Sequence, residues 1–432
     1  MRTLLVTLTM CLLALPANAK YSGGTGEPND PYQIATAADL IALGETPADY
    51  DKHFILTADI DLDPNLPGRK VFDKAVIAWT RGSPGGMLGT PFRGTFDGDG
   101  HTVMHLTTAD GYFLGLFGRL TSGGKIENVG IMDVYVSGTS SGPLVARNDG
   151  GDVLRCHSTG VVNGTGNSVG GLVGRNRGSL TDCYSTCTVS GHGDVGGLVG
   201  ENDGTVTTSH CGGRVNGING VGGLVGRNTG SLTDCCSTCT VSGHGDVGGL
   251  VGDNNGSIAE SYTTCSVTGD SAVGGLAGTN AYHRIIESYS TGTVSGRTWV
   301  GGLVGFNEYA SITFSWSSAV VIGEQCVGGL LGYNDDSPRD TNDSRSPASL
   351  IQACFWDTEA SGQATGAGGT GKTTAEMQTA STFLDAGWDF VGETGNGVED
   401  VWKIAEGLGY PRLAWEKYSG GTIRTRSPRP PI

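Results

Sequence analysis

Five short segments of the chain carry residue types that could do chemistry. Gly366 to Thr373 reads GAGGTGKT, a formal match to a phosphate-binding loop, in which backbone N–H groups and the lysine cradle phosphates. That chemistry needs a buried strand before the loop, a helix after it and a separate Asp for magnesium. Asp357 to Thr365 is instead polar and Gly/Ser-rich, and no second nucleotide motif occurs. His101 and His105 stand four apart in HTVMH, which lacks the glutamate of HExxH and reads as a strand rather than a helix. His192 and His244 each lie between two glycines, and glycoside hydrolysis there would require paired aspartates to activate water and protonate the leaving oxygen. Neither has an evident Asp-Asp partner. Asp97-Gly98-Asp99-Gly100 could touch calcium but is too short for a cage and reads as a turn. No catalytic, cofactor-binding or metal-ligating residue is nominated, and no cofactor is expected.

The elements that would position such residues follow from a repeat. VGGLVG-x-N returns along the chain with its central leucine at Leu116, Leu144, Leu172, Leu198, Leu224, Leu250, Leu276, Leu303 and Leu330, at steps of 26 to 28 residues. A period in this range, kept over so many copies, means a solenoid in which each unit buries its apolar face against its neighbours. Val169 to Gly200 and Val221 to Gly252 differ only at Arg177/Thr229 and Tyr184/Cys236. Within Val195 to Asp246 the VGGLVG run reads as one short strand, followed by a polar turn, an alternating run from Thr205, and a turn near Gly212-Gly213. That is three short strands and three turns per unit, the layout of a parallel β-helix. Val195, Val221, Val247, Val273, Val300 and Val327 share one phase; Val189, Val215, Val241, Val267, Val294 and Val321 share another.

Two polar columns behave oppositely. Asn148, Asn176, Asn202, Asn228, Asn254, Asn280, Asn307 and Asn334 recur at one phase, and an inward amide ladder along the axis is expected of them. After each Val-x-Gly stand His192, Ile218, His244, Asp270, Arg297 and Glu324, and such variety inside a strict repeat marks an exposed corner that could contact a partner. The cysteines also stack by phase, Cys183 with Cys235 and Cys187 with Cys239 and Cys265. Parallel stacking aims such side chains the same way, so an unbonded ladder is expected rather than disulfides.

Composition narrows the class. Gly is 75 of 432 residues without a Gly-X-Y period, which excludes collagen and points to many tight turns. A formal charge of -16 with no basic cluster excludes a nucleic-acid binder, since nothing neutralises phosphates. Residues 1–19 read as a secretory signal with cleavage after Ala19, and no later stretch is long and apolar enough to span a bilayer. The expected location is therefore secreted or cell-surface.

These units resemble the GLUG repeat family of exported bacterial proteins, over about Gly115 to Asn334. The resemblance rests on VGGLVG-x-N-x-G-S-[IL] followed by S-x-[ST]-x-x-V-[ST]-G, with Ala146 and Ala277 as mild departures. The segments Asp30 to Gly44, His53 to Leu62 and Pro91 to Val103 resemble the opening turns of right-handed β-helices of the pectin-lyase type. The expected fold is all-β, a right-handed parallel β-helix. An N-terminal cap and first turns would occupy 20–110, including a short amphipathic helix at Ala35 to Leu43, and the repeats 111–349, with a polar insertion at 335–349. A distinct aromatic-rich cap is expected at 350–417, whose Trp356, Trp388, Trp402 and Trp415 are read as closing the end of the solenoid. Residues 418–432 are read as a disordered tail. The expected function is a non-enzymatic structural or adhesive surface protein whose extracellular ligand is a polysaccharide or a cell-surface protein. The alternative is a carbohydrate-active enzyme, a polysaccharide lyase or hydrolase, or a sugar-binding module on the same scaffold. The enzyme reading requires carboxylates converging on one face of neighbouring coils.

Overall fold

The computed structural model describes residues 20–83, 86–337 and 349–416. The leader read at 1–19, the tail at 418–432 and residues 338–348 of the insertion lie outside the described residues. The chain winds as a parallel β-solenoid. A 12-stranded sheet runs from Tyr32–Ile34 to Leu350–Gln352, a nine-stranded sheet from Phe117–Thr121 to Leu331–Asp335, and a seven-stranded sheet from Asn167–Gly170 to Gln325–Gly328. A fourth set, with Tyr184–Ser185 and Thr188–Ser190 among its strands, completes each coil. Partners lie one coil apart in register: Val195 opposes Val221, and Val189 opposes Val215.

Each coil holds more strands than its turns suggest. Between Gly193 and Asn216 there are five: Gly193–Gly196, Val199–Asn202, Thr205–Thr207, His210–Cys211 and Arg214–Asn216. Two bends account for the difference from the expected three. Thr208 takes φ +50, which breaks the run that begins at Thr205. The VGGLVG run is not one strand either: Val195-Gly196 ends the seven-stranded sheet, the chain turns at Gly197-Leu198, and Val199-Gly200 opens the nine-stranded one.

Close approach explains why this bend needs three glycines. A Cβ on Gly196 would stand 2.0 Å from the Val199 carbonyl oxygen, and one on Gly197 2.1 Å from that of Gly223. One on Gly200 would stand 2.4 Å from the carbonyl carbon of Ser168, in the preceding coil. All three obstacles are backbone, which cannot step aside as a side chain can. The corner is also pinned from within. Ser158 Oγ donates to the Gly171 carbonyl at 2.5 Å, Thr263 Oγ1 to Gly275 at 2.7 Å, and Ser290 Oγ to Gly302 at 2.5 Å.

The interior is a set of stacked columns. Leu172, Leu198, Leu224 and Leu250 are wholly buried beside the valines, each such side chain contributing about 1.5–3 kcal/mol by leaving water. From Asn148 to Asn334 each asparagine Nδ2 donates to Oδ1 of the next at 2.8 Å. The same amides also serve the turn after the strand, Asn148 accepting from the Gly151 N–H and donating to its carbonyl. All cysteines among the described residues are free, and Cys211 and Cys239 from adjacent coils bring their sulfurs to 2.9 Å.

The two ends are built differently. At the start, helix Ala37–Gly44 is fixed by a capping box between Thr36 and Asp39 and buries Ala37, Leu40 and Leu43 against the first coil. At the other end, Trp356 joins the main core, and the backbone pairs Gly329 N to Thr365 O and Ala367 N to Leu331 O extend the stacking past the last coil. The glycines of GAGGTGKT serve this continuation, and Lys372 pairs with Glu376 rather than standing free for a phosphate.

Trp388, Trp402 and Trp415 lie along the flank instead of over the end. Tyr262, Tyr289 and Trp316 stack outward on successive coils at 5.0 and 4.7 Å, an apolar column that water would otherwise meet. Trp388 and Trp402 form a second core against it with Phe383 and Met377, and Trp415 Nε1 donates to the Glu260 carbonyl several coils back from the end.

Candidate functional site

The bend inside VGGLVG sets two columns of side chains facing each other across a concave corner. The first column is the residue just before each Val-Gly-Gly: Ser168, Asp194, Gly220, Asp246, Ala272, Trp299 and Cys326. All take positive φ, between 48° and 61°. The cause is the register. Gly193 pairs with Asn219 and Val195 with Val221, so the residue between them is unpaired and bulges outward. The second column is the variable residue of VG-x-N, whose members oppose one another along the nine-stranded sheet: Arg175 to Glu201, Glu201 to Arg227, Arg227 to Asp253, Asp253 to Thr279. A residue of the first column meets one of the second a coil further on. Ser168 Oγ donates to Glu201 Oε2 at 3.1 Å, Thr279 Oγ1 to Asp246 Oδ1 at 2.5 Å, and the Trp299 ring centres 6.1 Å from that of Tyr333.

Along its length this groove has three successive characters. Its first stretch is a ladder of ion pairs: Arg119 and Arg147 hold Asp149, and Arg175 reaches both Glu201 at 3.1 Å and Asp203 at 2.6 Å. Burial alone would raise the Asp203 carboxyl, but hydrogen bonds from Arg175, Thr229 and Arg177 outweigh it and hold it at about 2.

The middle stretch is acidic and hollow. Gly220 supplies no side chain, so the slot above Asp253 stands open as a pocket of about 320 Å³ between Asp194 and Asp246, with His192 among its lining residues. Burial, with the charges of Asp246 and Asp194, pushes the Asp253 carboxyl up to about 6 against the pull of Arg227. Asp194 is also raised, by burial first and then by Glu201. The last stretch is aromatic: Trp299, Phe306 and Tyr333.

The raised carboxyl makes a stability prediction with a definite sign. An unfolded Asp ionises near 3.8, and folded Asp253 near 6. The folded chain therefore binds the extra proton between these values, and stability from this group falls as pH rises through 6. Asp253→Asn is expected to stabilise the protein by about 2 kcal/mol at pH 7.5 and by nothing near pH 3.5, read by urea unfolding at both. A loss of stability at pH 7.5 would make Asp253 part of the scaffold.

The residues singled out from sequence fall in different places. The six corners (His192, Ile218, His244, Asp270, Arg297 and Glu324) are all exposed. Of them His192 lines the acidic pocket, while His244 and Asp270 pair with each other across adjacent coils at 2.9 Å. The asparagine column is buried away from the groove, except at its last member. His105 and His101 engage Asp61 and Asp59, and Asp97 closes its turn on the Asp99 N–H. Among the described residues no three His, Cys, Asp or Glu side chains converge as a metal would need.

The two groove columns went unrecognised, although the signal was present. Arg, Glu, Asp, Thr, Phe and Tyr alternate at one phase of a strict repeat, and Ser, Asp, Gly, Ala and Trp at another. This is the same variety that marked the corners.

Comparison with known proteins identifies the repeat and little beyond it. The GLUG motif matches at residues 165–190 and 269–295. Halomucin of Haloquadratum walsbyi is 33% identical over 159 residues, covering 35% of this chain and 2% of halomucin. A Gly-rich candidate membrane protein of Evansella cellulosilytica is 33% identical over 205 residues, covering 37% of this chain and 22% of that protein. The chain thus spans a small part of both relatives. The crystal structure of a candidate immunoglobulin A1 protease from Bacteroides ovatus aligns over 92% of this chain and 96% of that one, at 17% identity and a TM-score of 0.33. No described helix is long and apolar enough to cross a membrane.

Proposed function

We propose that this is an exported, surface-associated GLUG-repeat protein that works without catalysis, as a rigid adhesive β-solenoid presenting a lateral groove to an extended ligand. The observation that carries this reading is how variety is distributed. The buried valine, leucine and asparagine columns keep one chemistry from coil to coil, while the groove passes from basic through acidic to aromatic and the exposed corners vary from coil to coil. A scaffold requires the first and a recognition surface the second. Export rests on the leader read at residues 1–19, and a surface setting is in keeping with the relative named as a membrane protein.

A binding experiment tests the reading. The chain without its leader is expected to cosediment with insoluble cell-surface polysaccharide. Gly220→Asp should weaken that retention by filling the pocket, at a backbone position whose left-handed φ Asp194 and Asp246 already adopt in the neighbouring coils. Failure to bind either polysaccharide or intact cells would overturn it.

One observation favours a second reading, that of a polysaccharide hydrolase. Asp253 holds its proton closer to neutrality than an ordinary carboxyl and stands in a pocket with Asp194 and Asp246, a pairing that acid–base cleavage of a glycosidic bond could use. This reading requires turnover that Asp253→Asn abolishes.

A further inference from the structure

From Trp299, Phe306 and Tyr333 we infer a stacking subsite for a neutral polysaccharide at the aromatic end of the groove. The inference deepens the adhesive reading, on which it rests, by naming the ligand class.

Trp299 occupies a position unsuited to a large side chain. The position before Val-Gly-Gly demands positive φ in every coil, and the chain answers elsewhere with Ser168, Asp194, Gly220, Asp246, Ala272 and Cys326, all small or short and polar. At Trp299 it places the bulkiest side chain at φ +56, where a large residue is strained. The fold gains no core from doing so. Trp299, Phe306 and Tyr333 belong to neither apolar cluster, and Tyr333 remains 38% exposed.

The rings are nevertheless ordered. Phe306 and Tyr333 are register partners on adjacent coils, their rings 3° from parallel with centroids 5.7 Å apart. Trp299 leans over both, 5.0 Å from Phe306 and 6.1 Å from Tyr333, at 34° and 36°. Together they make a partly exposed aromatic shelf that continues the line of the groove.

What lies beside the shelf selects the occupant. One coil back the same two columns supply Ala272 and Thr279, and a coil further back Asp246, which accepts from Thr279, and Asp253 open the acidic pocket. Aromatic faces in line with carboxylates two coils away suit a glycan chain, one pyranose packing its C–H face on a ring while the hydroxyls of its neighbours donate to the carboxylates. Coils repeat about every 4.8 Å, so successive rings meet successive parts of one extended chain. Carboxylates in the adjoining pocket repel polyanions, which selects neutral glycans over uronate polymers.

Trp299→Gly separates a ligand-stacking role from a structural one. Glycine suits φ +56, so the substitution is expected to leave Tm unchanged or raise it. The full chain without its leader would be run by affinity electrophoresis in gels holding hydroxyethyl cellulose, xylan, mannan or polygalacturonate. The expected result is retardation by at least one neutral polymer and not by polygalacturonate, weakened roughly tenfold by Trp299→Gly and by Tyr333→Ala and restored towards wild type by Trp299→Phe. Unchanged retardation in both ring-deleting variants, selective retardation by polygalacturonate, or a marked fall in Tm for Trp299→Gly with unaltered binding would overturn the subsite. None of these results touches the adhesive reading, which falls instead if no surface or polymer binds the protein, or if a polymer is cleaved.

Discussion

Asn228→Ala is expected to be among the most damaging single substitutions in the repeats, costing about 3–5 kcal/mol of local stability. Asn228 is wholly buried, accepts from Asn202 Nδ2 and donates to Asn254 Oδ1, each at 2.8 Å. Alanine leaves a donor on one coil and an acceptor on the next without partners in a dry interior, and each such group costs about 1–3 kcal/mol. The turn after the strand loses its support as well. Because a solenoid is a line of nearest neighbours, damage should spread along the axis from that coil rather than unfold the chain in one step. Hydrogen exchange is the suitable readout. Protection should fall most in residues 200–260 and recover towards both ends. Protection falling uniformly, or unaltered protection around Asn202 and Asn254, would mean that the ladder is not what couples the coils.

The second large effect lies on the flank. Trp402 is fully buried, 4.5 Å from Trp388 and 6.3 Å from Tyr289 by ring centroid. Truncating a buried aromatic of this kind costs about 3–5 kcal/mol, and the second apolar cluster is small. Trp402→Ala should therefore release the C-terminal segment while the repeats stay folded, exposing the stacked face of Tyr262, Tyr289 and Trp316. Limited proteolysis should then cut between residues 373 and 416 and leave a stable fragment that contains the GLUG units. Loss of the whole solenoid would show instead that the flank and the coils fold as one unit.

These expectations depend on features that were unequally legible in the sequence. The valine, leucine and asparagine columns could be read because a fixed period makes every inward position recur. The bend inside VGGLVG could not, since nothing in Val-Gly-Gly-Leu-Val forbids a continuous strand. It is imposed by backbone from other coils, as the contacts facing Gly197 and Gly200 make plain. Missing the bend meant missing the groove, because the residue before Val195 and the residue after Gly200 look like opposite ends of one strand until the chain turns between them.

The flank was hidden for a different reason. Tyr262, Tyr289 and Trp316 share the phase of His157, Tyr184 and His210, which stack in the same way at 4.8 and 5.1 Å. The column is visible in the sequence, but which part of it the C-terminal tryptophans cover is decided by packing across more than a hundred residues. At Glu260 that distance is 155 residues. The acidic pocket depended on an absence: Gly220 interrupts the pair Asp194 and Asp246 left by the 52-residue duplication, and its missing side chain opens the space above Asp253.

The central claim is that this scaffold holds a ligand without altering it, and one measurement addresses it directly. The chain without its leader would be incubated with the neutral polysaccharide that retards it, at pH 5 and at pH 7, while bound protein and newly formed reducing or unsaturated ends are followed together. Retention is expected to saturate, with no new ends above a protein-free control at either pH. Ends that accumulate with time and vanish in Asp253→Asn would contradict the claim, and would make the pocket beneath Gly220 an active site.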